Sequence, residues 1–194
     1  MLIMLNMTMR TGLVVITLLI TSFPLFSQSE SPKKTPADAM REIRLKVLST
    51  PPSQMSRKPT PEYPHVDGII MDWALQDTIL SVMASSAGDG SIYTTGNFGL
   101  FGGIKYDTVR NAAKSFVKLG EKYDSDAVST RDFPYPQAGH VRFYLICYDG
   151  VRMIDVDVAS LSSGTGKYSD LFAAAQKEIS ALRQIVQNQP KETR

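Results

Sequence analysis

Two hydrophobic rhythms run along the chain. Over residues 107–123, Val109, Ala112, Ala113, Phe116, Val117, Gly120 and Tyr123 recur at steps of three and four, with polar residues between them. That is the stripe of an amphipathic helix with one buried side. Residues 169–188 repeat it with Leu171, Phe172, Ala175, Ile179, Leu182 and Val186, and Pro190 follows where such a helix would have ended. Elsewhere the apolar residues come in short β-branched and aromatic runs, at 66–74 (VDGIIMDWA), 78–85, 91–95, 140–148 and 151–158, each of which reads as a strand. Ala87-Gly88-Asp89-Gly90 and Asp149-Gly150 supply hairpin chemistry between neighbouring strands.

Hairpin-linked strands pair antiparallel, and both helices need an apolar face to cover. The order predicts an α+β fold: a five-stranded antiparallel sheet with two helices on one face, a profilin- or roadblock-like layout. A short helix precedes it. Thr35 can cap, Pro36 suits the first helical position, Asp38 sits in the first turn, and Met40, Ile43, Val47 and Leu48 share one side. Pro51-Pro52 ends that helix, and Pro59, Pro61 and Pro64 keep residues 49–64 extended and stiff.

The first residues change the picture from fold to destination. Arg10, the apolar run 13–20 and Pro24-Leu-Phe-Ser27 have the layout of a signal peptide, with cleavage expected after Ser27. An uncleaved membrane anchor is the alternative, since residues 11–29 carry no charge. The expected organisation is therefore a signal peptide at 1–27, then a disordered start, short helix and proline-rich connector at 28–64. A single α+β domain follows at 65–189, with a tail at 190–194. The localisation implied is export, to a periplasm or beyond the cell.

The 194 residues are 43% hydrophobic and 21% charged, enough to build a real core. The formal net charge of +2 is uneven: residues 28–62 carry seven basic and four acidic side chains, residues 63–194 thirteen and fifteen. The folded part is thus no basic nucleic-acid binder. Cys147 is the single cysteine, so no internal disulfide forms, and its place within an apolar run predicts burial.

Val47-Leu-Ser-Thr-Pro-Pro52, Val66-Asp-Gly-Ile-Ile-Met-Asp72, Asp89-Gly-Ser-Ile-Tyr93, the glycines at 99–103 and Val109-Arg-Asn-Ala-Ala-Lys-Ser-Phe116 together resemble a family of uncharacterised bacterial proteins. The likeness spans most of residues 38–183. Its members carry a denser glycine run, which Asn97, Phe98, Leu100 and Phe101 interrupt here. The resemblance brings no activity, so it assigns no catalytic residue.

Two surfaces are candidates for function. Gly96, Asn97, Gly99, Gly102, Gly103 and Lys105 form a glycine-rich turn ahead of a helix, a place where an anion can be received. The G-x-x-G-x-x-G spacing matches neither the dinucleotide nor the Walker pattern, and tight strand-to-helix packing is the plainer reading. Arg110, Lys114, Lys118 and Lys122 recur every four residues on the following helix. Like charges so spaced cost roughly 0.2–0.5 kcal/mol per pair, so the row is either a solvated face or a docking stripe for an anionic envelope surface or an acidic protein.

Catalytic chemistry finds little footing. His140 and Cys147 lie seven residues apart on one strand, hence on opposite faces and, at about 3.3 Å per residue, some 20 Å apart. Asp155 and Asp157 alternate with valines as on any half-exposed strand, and Asp67 and Asp72 fall on opposite faces of a regular one. No spacing matches a metal signature. The expectation is an exported, non-enzymatic domain acting through protein or envelope contacts, with no cofactor. A small-molecule binding or sensor module using the glycine loop is the alternative, and an unrecognised hydrolase the second.

Overall fold

The computed structural model describes residues 35–96 and 98–188. The segments expected to be a signal peptide and a disordered start, up to residue 34, lie outside them, as do Asn97 and the 190–194 tail. The first element is α1 (Pro36–Ser49), and it starts as its sequence demands: the Thr35 hydroxyl accepts from the Asp38 amide while the Asp38 carboxylate accepts from the Thr35 amide. This reciprocal capping box satisfies donors that a helix start leaves bare. Strands β1 (Val66–Ala74), β2 (Ile79–Ser85) and β3 (Gly90–Thr94) follow, then β4 (Gly99–Leu100), α2 (Asp107–Lys122), β5 (Val128–Thr130), β6 (His140–Cys147), β7 (Gly150–Asp157), α3 (Val158–Ser162) and α4 (Ser169–Asn188).

All pairings are antiparallel, in the order β4-β3-β2-β1-β6-β7-β5. The sheet therefore has seven strands and the described chain four helices, which corrects the expected five strands with two helices on one face. The profilin- or roadblock-like layout falls with that count. Both additional strands are too short to show a period. β4 lies inside the glycine turn, where Gly99 and Leu100 pair with Tyr93 and Ile92. β5 lies in the segment expected to be a crossing loop, where Val128 to Thr130 pair with Met153 to Val151 of β7.

The helices are divided between the two faces. Ile69 and Met71 of β1, Val82 of β2 and Phe143 and Leu145 of β6 pack with Val109, Phe116 and Val117 of α2 and Leu171, Ile179 and Leu182 of α4. On the opposite face, Ile70, Tyr144 and Ile146 pack with Leu48 of α1, joined by Val47 and Phe133. Burial from both sides explains why β1 reads as an unbroken apolar run rather than an alternation. One irregularity sits at its start: the register with β6 shifts between Val66 and Gly68. Asp67 is the extra residue of that bulge, so the strict face assignment expected of Asp67 and Asp72 does not apply.

Candidate functional site

The glycine turn begins where β3 leaves the sheet and ends at the first turn of α2. Gly103 is required by packing, since a Cβ there would stand 2.5 Å from the Val109 side chain and 3.1 Å from the Gly90 carbonyl oxygen. Gly102 is required by backbone, with φ at +78°, a conformation costly for any side chain. Gly99 abuts Met40 of α1 and the Phe101 ring, whereas Gly96 meets only the Thr94 hydroxyl. These demands come from the fold itself, not from an anion. The helix that follows is also poorly suited to one: Tyr106 occupies the N-cap without a side-chain cap, and Asp107 in the first turn pairs with Arg110.

What the turn does expose is apolar. Phe98, Phe101 and Ile104 are 41%, 43% and 43% accessible, and Lys105 stands beside them with its ammonium over the Tyr106 ring. Phe101 is held in place because its ring stacks on Tyr93, with centroids 5.8 Å apart and planes 20° from parallel.

Tyr93 leads inward to a buried polar cluster that the sequence reading did not single out. Arg44 of α1 is 1% exposed and donates from Nε to Asp72 of β1, itself fully buried, at 2.8 Å. A second guanidinium nitrogen reaches the same carboxylate oxygen, and a third donates to the Phe133 carbonyl at 2.8 Å. The Ser81 hydroxyl donates to the other Asp72 oxygen at 2.6 Å. The Tyr135 and Tyr144 rings flank the guanidinium at 4.4 and 5.1 Å. Burial pushes the Asp72 carboxyl up, and Arg44 and Ser81 pull it back. A buried charge demands such partners. A signal for the cluster was present: Arg44 sits four residues from both Met40 and Leu48, inside the apolar side of α1, and Asp72 interrupts the apolar run Ile69 to Ala74. A second missed residue is Glu178 of α4, fully buried, with neither carboxylate oxygen hydrogen-bonded among the described residues.

The basic row is largely occupied by the domain itself. Arg110 pairs with Asp107 and donates to the Ile104 carbonyl, Lys118 donates to the Glu62 carbonyl, and Lys122 pairs with Asp170. Lys114 lines a shallow hollow with Arg57 and Lys58.

Cys147 is buried, and burial, with Asp124 nearby, pushes its thiol up to about 12. A thiol so shifted is no nucleophile. The imidazoles are engaged elsewhere, His65 with Glu121 and His140 with Asp155. Asp157 caps α3 by accepting from the Ser160 amide, and Asp67 accepts from Arg57 and Ser86. Among the described residues no three His, Cys, Asp or Glu side chains stand together to hold a metal ion, and no helix is long and apolar enough to cross a membrane. The chain matches no family model, no curated protein and no solved structure.

Proposed function

We propose that this is an exported, non-enzymatic domain that docks on an anionic lipid surface of the cell envelope through its glycine turn. The observation that carries the reading is the group Phe98, Phe101 and Ile104, three large apolar side chains exposed on one short turn with Lys105 beside them. Apolar side chains that enter the headgroup region, next to a cation that meets anionic lipid, are the chemistry of interfacial contact.

The basic row of α2 becomes a secondary element, because most of its charge is spent within the domain.

Co-sedimentation with phosphatidylglycerol-containing vesicles tests this. Losing the burial of a half-exposed Phe is worth on the order of 1–2 kcal/mol, so Phe98→Ser and Ile104→Ser should each weaken binding about tenfold. Lys114→Glu with Lys118→Glu should change it far less. Binding that ignores the loop variants, or that depends only on Lys114 and Lys118, overturns the reading and restores the basic row as the docking face.

A further inference from the structure

An apolar hollow lies at the other end of α1, away from the glycine turn. It occupies about 500 Å³, within the range of roughly 300–1,000 Å³ usual for small-ligand sites. Its apolar walls are Leu48 of α1, Pro52 just after it, Phe133, Ile146 of β6 and Val151 of β7. These walls are fixed. Phe133 packs edge-on against Tyr144, with centroids 5.9 Å apart, and its carbonyl is held by Arg44.

The serine, threonine and aspartate side chains on the rim are already engaged within the protein. The Ser49 and Thr50 hydroxyls donate back to the Leu45 and Lys46 carbonyls. The Thr130 hydroxyl is engaged by the backbone of Asp132. Asp149 is neutralised by Arg152. Arg131, exposed at the mouth, has no ion pair or hydrogen bond among the described residues. An apolar hollow with an unpaired guanidinium on its rim suits a ligand with one anion and a hydrocarbon body.

We propose that this cleft binds a single-chain amphiphile with a carboxylate head, the chain lying against Leu48, Phe133, Ile146 and Val151 and the carboxylate meeting Arg131. The site is independent of the lipid-docking surface, since no residue is shared. It requires no chemistry and no cofactor.

The test uses the purified protein and laurate below its micellar range, read by calorimetry and by thermal denaturation. Saturable binding of laurate, with dodecylammonium binding at least tenfold more weakly, is expected. Arg131→Gln, an exposed change that leaves the fold intact, should weaken laurate about tenfold and erase the preference over dodecylammonium. Val151→Trp, which fills the chamber, should abolish binding, and its circular dichroism verifies folding. Phe98→Ser should leave laurate affinity unchanged, which separates failure of this site from failure of the docking surface. Absence of laurate binding, or equal affinity in Arg131→Gln, overturns the proposal.

Discussion

Replacing Arg44 by Met asks whether α1 belongs to the fold or merely rests on it. Met approximates the length and apolar stem of the arginine, so the perturbation removes charge and donors more than packing. In its absence the Asp72 carboxylate, fully buried, retains the Ser81 hydroxyl at 2.6 Å but loses both guanidinium donors, and the Phe133 carbonyl loses its donor. Removing one partner of a buried ion pair costs about 3–5 kcal/mol, because the other is left buried and uncompensated. For a domain of this size that corresponds to a fall in melting temperature on the order of 10 °C.

The partner change Asp72→Asn should cost a similar amount. The double variant should be much less destabilised than the two singles sum to, since neither charge remains. Urea denaturation followed by the fluorescence of Trp73, the only tryptophan, provides the assay. Trp73 packs edge-on against Phe172 of α4, so it reports on the helix face opposite α1 and tests whether the two faces melt together. An Arg44→Met cost below about 1 kcal/mol, or strict additivity in the cycle, would refute the argument that the pair locks α1 to the sheet.

Three further expectations rest on other parts of the core. Burial, reinforced by the neighbouring Asp89, raises the Glu178 carboxyl well above its ordinary 4.5. The folded state therefore holds a proton that the unfolded state releases, so stability should fall as pH rises above about 4.5. Glu178→Gln should flatten that decline, and an unchanged pH profile would contradict it. Gly103→Ala should destabilise by about 1–3 kcal/mol through its collision with Val109, while Gly96→Ala, with only the Thr94 hydroxyl near it, should change the denaturation midpoint little. Cys147 should resist iodoacetamide in the folded protein at neutral pH and react on unfolding, because its thiol is buried and pushed up to about 12; prompt native labelling would show that the strand opens.

The parts of the fold that were legible in the sequence are those with enough length to display a period. α2 and α4 appear as stripes of seven and six apolar positions, and the hairpin at Asp149-Gly150 carries its own turn chemistry. β4 has two residues and β5 three, and alternation cannot declare itself over that distance. The second covered face was hidden for a different reason. Leu48 and Ile70 can be read as apolar residues, but which surface each covers depends on long-range pairing. Arg44 and Glu178 look like ordinary solvated charges until their neighbours at three and four residues are considered. The glycine turn is legible as the break between β3 and α2, but β4 lies inside it, its glycines answer to Val109, Gly90 and a positive φ, and its exposed content is aromatic and aliphatic.

The most direct test of lipid docking is Phe98→Trp fluorescence with vesicles of phosphatidylglycerol, with and without brominated acyl chains. The account predicts that the emission from position 98 shifts to the blue and is quenched by the bromines, while Trp73, packed on α4, is unaffected. Unchanged emission at position 98 under conditions where the protein sediments with vesicles would place the contact elsewhere and contradict the central claim.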